Sequence, residues 1–366
     1  MKIECVKEKL HIAVSKAEKI VGKNTNLPIL SCLLFETKGN NLIIKATNLD
    51  LGLEISIPVK VEEHGTVAVP AGVIGSFLNN LNDNKNISLE TQDTLLRIYT
   101  QNSEANIKTL STDDFPTIPL IDEGKTCKIN SKDFGNGIRS VIYSASTSSV
   151  KPELASVYMY STEDQLFFVA TDAFRLAEKT IKTKKGVNIP GILIPFKNAL
   201  DILKIIDTTD EEIEINSTKN QISFTFNGLY LVSRVIDGVF PDYKQIIPKE
   251  EKTKVTVLKQ DLINTFKISS IFSDNFNQIN IHVESGSKTI QVKTKNSNIG
   301  ENTNRIDATI EGESIEVNFN HRYIVDCLSS ISSDSISLIF SGINRALIIK
   351  GTSDKTFMYL VMPMNR

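Results

Sequence analysis

An internal repeat with a period near 125 residues constrains this chain more than any other feature. The segments VPAGVIGSFLNNL (from Val69), IPFKNALDILKII (from Ile194) and FNHRYIVDCLSSI (from Phe319) each follow a β-like run. Each carries an apolar quartet at helical spacing: Ile74, Phe77, Leu78, Leu81; Ala199, Ile202, Leu203, Ile206; Ile324, Cys327, Leu328, Ile331. Corresponding members are 125 residues apart, twice. An earlier amphipathic stretch opens each unit, from Val6, Ser131 and Lys259. Between the two helices an alternating strand runs into a polar corner, at Thr47-Asn48, Thr171-Asp172 and Thr294-Lys295. Units one and two also close alike, on Phe115-Pro116 and Phe240-Pro241.

The six helical segments fall at 6–23, 70–82, 131–151, 195–208, 258–273 and 319–333, among many short strands with period-2 alternation such as QLFFVAT from Gln165 and SLIFSGINRALIIKG from Ser337. The expected fold is therefore α+β: three repeated domains, each with two helices packed on antiparallel sheets. Dividing 366 residues by three gives units of the commonest domain size, each able to bury its own core, so the repeat is not a solenoid. The expected domains are 1–122, 123–250 and 251–366. The charged run Pro248-Lys249-Glu250-Glu251-Lys252 marks the second boundary, and Asp122-Glu123-Gly124-Lys125 the softer first one.

Catalytic signatures fail on inspection. Asp133-Phe134-Gly135 matches a kinase metal-binding triplet but lies inside an amphipathic helix, with no Gly-rich loop or His-Arg-Asp loop beside it. No phosphate-cradling G-x-x-x-x-G-K-[ST] and no G-x-S-x-G elbow occurs. His11, His64, His282 and His321 lack metal spacing, and the acidic clusters Glu62-Glu63 and Asp210-Glu211-Glu212 read as solvated loops. A non-enzymatic protein without cofactor or metal is expected. Cys5, Cys32, Cys127 and Cys327 form no C-x-x-C pair and read as buried apolar residues of a chain kept in a reducing cytoplasm. No signal peptide and no membrane span is expected, since charge interrupts every apolar run.

The net charge of −2 argues against a uniformly basic nucleic-acid coat, yet its distribution is uneven. The six helical segments hold 13 basic and seven acidic residues, a net of +6, which leaves −8 for the rest. A basic helical layer facing a polyanion produces such a bias, as do lysines simply decorating exposed helix faces. A bias this small implies weak, salt-sensitive phosphate contact. The C-terminal run Val361-Met362-Pro363-Met364 is unusual for a chain end, where residues are commonly polar; flexible thioethers there suit a pocket that accepts differing partners.

Four patches carry a resemblance: Leu27-Pro28-Ile29-Leu30-Ser31, Val169-Ala170-Thr171-Asp172-Ala173-Phe174-Arg175-Leu176-Ala177, Phe240-Pro241-Asp242-Tyr243 and Val361-Met362-Pro363-Met364. In this order on a triplicated frame, the chain resembles the bacterial sliding clamps, the beta subunits of the DNA polymerase III holoenzyme. The resemblance implies a head-to-tail homodimeric ring of six domains, with twelve helices lining the hole. Helices about 9–10 Å apart give an inner perimeter of about 110–120 Å and a hole about 35–38 Å across, room for double-stranded DNA. The ring would hold DNA topologically, without sequence preference and without catalysis, as a processivity factor in DNA replication.

The resemblance also implies a groove that receives short linear peptides of the polymerase III catalytic subunit, the clamp loader, other polymerases and mismatch-repair proteins. Its residues would be Leu154, Thr171, Ala173, Phe174, Arg175, Leu176, Pro241, Ile246, Asn320, Tyr323, Val361, Met362, Pro363 and Met364. Relatives usually carry Gly-His at Ala173-Phe174 and often a basic residue at Gln245. Lys23, Asn24, Lys151, Lys197 and Lys204 would face DNA. Ile107 would meet Ile271 and Phe272 of the other subunit. The residues by themselves leave open a triplicated peptide-binding scaffold that never encloses DNA, and an enzyme with an unfamiliar site in one unit.

Overall fold

The computed structural model describes residues 1–22, 26–82, 86–121, 123–183, 189–207 and 210–364. Six α-helices occur among these residues: α1 (Lys7–Glu18), α2 (Ala71–Asn80), α3 (Ser131–Arg139), α4 (Phe196–Ile206), α5 (Lys259–Ser269) and α6 (His321–Leu328). The apolar quartets predicted on the even-numbered helices point into cores. Ile74 and Leu78, Ala199 and Ile202, and Ile324 and Cys327 are fully buried, while Phe77 is only half-buried. Each isoleucine or leucine removed from water contributes roughly 1.5–3 kcal/mol, so these positions fix which helix face meets the sheet.

The segment expected to be helical from 131 to 151 stops at Arg139. A 3₁₀ turn at Ile142–Ser144 follows, then a bend in which the Ser146 hydroxyl accepts from the Ser148 N–H at 3.1 Å. Serine and threonine side chains that bond their own backbone compete with helix, and the run Ser144 to Ser149 is rich in them.

The chain divides into two compact units. The first comprises Met1–Gly135, Val187–Ile189 and Lys197–Asp237; the second comprises Asn136–Gly186, Pro190–Phe196 and Gly238–Arg366. The division runs through residues 123–250, because sheets continue across the joints of the sequence repeat. Unit 1 holds a five-stranded and an eight-stranded antiparallel sheet; in the latter the strand Leu51–Pro58 pairs with Leu229–Arg234. Unit 2 holds a twelve-stranded sheet in which Arg175–Lys182 pairs with Phe357–Val361.

These two pairings are equivalent in the repeat. In each, the strand that follows a corner takes as neighbour the closing strand of the next module. Leu51 stands opposite Ser233, and Arg175 opposite Val361. In the third module the strand after the corner is Gly300–Gly312; from Gly300 to Ile306 it pairs only with Thr289–Asn296 among the described residues. The first module's closing strand, Glu104–Lys108, is likewise an edge, paired among the described residues only with Leu95–Tyr99.

The third corner departs from the other two. Ile290, Val292 and Thr294 are the inward-facing alternates of their strand, so Thr294 occupies the place of Ala46 and Ala170, one residue short of Thr47 and Thr171. Its hydroxyl has no hydrogen-bond partner among the described residues, and a longer hairpin closes at Asn296–Gly300 instead.

Candidate functional site

The corner at Thr171 is built by its own short polar side chains. The Thr171 hydroxyl donates to the Arg175 carbonyl at 2.7 Å and accepts the Ala173 N–H at 3.2 Å. Asp172 Oδ1 accepts the N–H groups of Phe174 and Arg175, both at 3.0 Å, an Asx-type turn. This turn holds Ala173 at φ 77, the left-handed region, and leaves the Phe174 side chain 61 % exposed at the apex.

Arg175 ties the corner to α6. Its Nε donates to Asp172 Oδ2 at 3.0 Å and an Nη donates to Asp326, while the guanidinium centre lies 4.5 Å from the centroid of the Tyr323 ring. Burial alone would lower the arginine's pKa, but Tyr359, Asp326 and Asp172 outweigh it and hold the cation firmly charged. Cation–π stacking and a planar fork onto two carboxylates are specific to arginine. Tyr359 in turn donates to the Tyr323 carbonyl at 2.7 Å, locking the closing strand to the helix.

The C-terminal run passes over this corner. The Met362 N–H donates to the Phe174 carbonyl and the Met364 N–H to the Asn318 carbonyl, both at 2.8 Å. The backbone is fixed while Met362 stays exposed and Pro363 and Met364 half-buried. Ala173, Ile246 and Met362 line a cavity of about 590 Å³ together with Gln245, Arg345 and Ala346. Thr171 and Leu176 are buried beside it in the sheet, paired with each other across the corner. The remaining residues expected in the groove, among them Leu154, Phe174, Tyr323, Pro363 and Met364, do not line that cavity; Asn320 caps α6, accepting the Arg322 N–H at 3.0 Å. Arg345, which lines the cavity, and Asp326, which pairs with Arg175 at the corner, are among the residues that sequence reasoning did not place in the groove. Arg345 and Asp326 carry no local pattern that marks them, since their roles arise from distant strands and helices meeting.

Burial pushes the Cys5 and Cys127 thiols up to about 12 and raises that of Cys327, so they are protonated and unreactive. All four cysteines are buried and free. Among the described residues no group of three or more His, Cys, Asp or Glu side chains is placed to hold a metal ion.

The residues expected at DNA are spread in kind. Lys23 and Asn24 lie outside the described residues. Lys151 is exposed but sits in the bend after α3, not on a helix. Lys197 is exposed on α4, while the Lys204 ammonium pairs with Asp201 at 2.7 Å. The six observed helices are shorter than expected and hold ten basic and six acidic residues, so the helical bias falls to +4.

Three family models cover nearly the whole chain: the N-terminal domain of the DNA polymerase III beta subunit over residues 1–119, the central domain over 128–242 and the C-terminal domain over 244–365. The chain belongs to the DNA polymerase III beta subunit family. It is a three-domain α+β protein of the sliding-clamp type. The beta sliding clamps of Staphylococcus epidermidis and Staphylococcus aureus are 25% identical to it over 356 residues, 94% of each chain. The crystal structure of the beta subunit from Thermotoga maritima superposes with a TM-score of 0.94 at 26% identity, covering 100% of this chain and 99% of that one. The sliding clamp from Bacillus subtilis gives 0.95 at 25% identity, with the same coverage.

As a beta subunit, the chain was expected to offer Ile107, Ile271 and Phe272 to a second copy. Ile271 is 63% exposed, and Phe276, which the sequence did not single out, 71%. Phe272 is half-buried. Ile107 is buried in the single chain, an inward-facing residue of the edge strand Glu104–Lys108. Among the described residues no helix is long and apolar enough to cross a membrane.

Proposed function

We propose that two copies of this chain join head to tail into a ring that encircles duplex DNA and tethers a DNA polymerase to it, without catalysing a reaction. One observation carries the reading. The repeat makes its strand-to-strand joint twice within the chain, Leu51–Pro58 with Leu229–Arg234 and Arg175–Lys182 with Phe357–Val361. The third joint has both halves present, each with one edge open among the described residues: Gly300–Ile306 and Glu104–Lys108. Open strand edges are a liability unless a partner covers them. A second copy completes two such joints at once, a heterologous contact that closes on itself. The exposed Ile271 and Phe276 add apolar surface in the same module as the open edge.

In this reading the domains are 1–122, 123–250 and 251–366, and DNA is held by enclosure. Weak cationic contact from Lys23, Lys151, Lys197 and Lys204, with the neutral amide of Asn24 beside it, permits sliding, because it reads no base and is readily exchanged. The cavity at Ala173, Ile246 and Met362 receives peptides of the polymerase, the clamp loader and repair proteins, and the tether keeps each partner at high effective concentration near its substrate. The scaffold alternative requires no second copy. Light scattering on the purified chain separates the two: a mass near twice 40.6 kDa is expected, and a strict monomer at high concentration would remove the ring.

A further inference from the structure

The repeat places a second pocket in unit 1 at the position the groove takes in unit 2. Thr47 and Asn48 build the same corner as Thr171 and Asp172. The Thr47 hydroxyl donates to the Leu51 carbonyl at 2.7 Å, and Asn48 Oδ1 accepts the N–H groups of Asp50 and Leu51 at 3.0 and 2.8 Å. Leu49 is held at φ 77, the angle of Ala173. The Arg234 N–H donates to the Asp50 carbonyl at 2.9 Å, as Met362 does to Phe174 at 2.8 Å. Ile222 opposes Ser233 as Leu347 opposes Val361. On that register Leu49, Gln221 and Arg234 line a cavity of about 410 Å³ where Ala173, Ala346 and Met362 line the larger one.

The lining chemistry differs in a way that names the ligand. Leu49, 45% exposed, and the buried Val232 give the pocket aliphatic walls. Arg234 replaces the thioether of Met362 with a guanidinium, the one cation of the lining, and it is exposed without a carboxylate partner among the described residues. Asp50 is the one acid, so a ligand acidic along its whole length is disfavoured. We propose that this pocket is a second peptide site, which binds a short extended peptide presenting an aliphatic side chain next to a single carboxylate that pairs with Arg234. The proposal rests on reading the unit 2 groove as a peptide site.

The chain has no tryptophan, which gives each pocket its own reporter. Thr117 and Asp242 are equivalent exposed positions, each following the Pro of its Phe-Pro pair. Thr117→Trp and Asp242→Trp chains are titrated separately with acetyl-Gly-Leu-Leu-Glu-Gly amide and with its Gln counterpart. The expected result is a saturable fluorescence change in Thr117→Trp, weakened about tenfold by the Gln peptide or by adding Arg234→Gln. No saturable change in Thr117→Trp at millimolar peptide overturns the second site, whatever Asp242→Trp does. Equal binding of the two peptides at Thr117→Trp overturns the carboxylate assignment. Residue 242 adjoins Gln245 of the unit 2 lining, so Asp242→Trp reports on that groove independently, and failure of one reading is told apart from failure of the other.

Discussion

The backbone N–H of Met362 donates to the carbonyl of Phe174 at 2.8 Å, which fixes the start of the C-terminal run against the apex of the Thr171 corner. Because the bond uses only main-chain atoms, the side chains on both sides are free to vary with the ligand. Arg234 and Asp50 repeat the bond with different side chains, so the repeat conserves a backbone frame and leaves recognition to what is mounted on it.

Met362→Ala, which trims an apolar side chain that lines the cavity, is expected to weaken binding of a polymerase-derived peptide by roughly tenfold or more, the scale of losing one apolar contact worth about 1.5–3 kcal/mol. The Met362 N–H bond to Phe174 survives the substitution, so the solution mass should not change. Fluorescence anisotropy with a labelled peptide checks the first expectation and light scattering the second. Unchanged peptide affinity would remove the groove assignment.

Ala173→Gly is expected to stabilise the chain. An L-residue in the left-handed region costs roughly 1–2 kcal/mol. Glycine relieves that cost but loses about 0.4–1 kcal/mol through the greater freedom of the unfolded chain. The relief wins, so the melting temperature should rise by a few degrees. A fall would show that the Ala173 methyl makes packing contacts that outweigh its backbone strain.

His321 gives a pH dependence of known sign. The ring is buried and neither nitrogen has a hydrogen-bond partner among the described residues. Burial, with Arg322 adding to it, lowers its pKa below the ordinary 6.5 against the opposing pull of Asp326. The folded state therefore favours the neutral ring. Its contribution to stability is whole above about pH 6.5 and is lost as pH falls through the lowered folded value. Melts at about pH 7.5 and pH 5.5 should show a larger drop for the native chain than for His321→Leu. Equal drops would assign the acid sensitivity elsewhere.

How much of this was legible in the sequence depends on the range of the interaction. Ile74, Ile202 and Cys327 announce their burial by period alone, since the helix repeat fixes which residues share a face. The Thr171-Asp172 corner is equally local, because both side chains bond backbone within four residues. Thr294 was misleading for the same reason: a Thr at the right spacing looks like a corner, but strand register places it one residue early and facing inward. Register is set by pairing with a distant strand, which no local pattern encodes. The pairing of Leu51 with Ser233 and of Arg175 with Val361, the partnership of Arg175 with Asp326, and the burial of Ile107 all belong to that class.

The same register tests the ring itself. Gly300 corresponds to Leu51 and Arg175, and Ile107 to Ser233 and Val361, so Asn106 of one copy should stand opposite Glu301 of the next. Directly opposed antiparallel residues have Cα atoms about 4.5–5.5 Å apart, within disulfide range. The native cysteines are buried, so Asn106→Cys with Glu301→Cys should join two copies through two bonds into a covalently closed ring. The double variant, assembled on nicked circular plasmid and then oxidised, should stay on the circle in high salt and leave once the plasmid is cut to a linear form. Release from circular and linear DNA alike, with the two disulfides formed, would contradict enclosure.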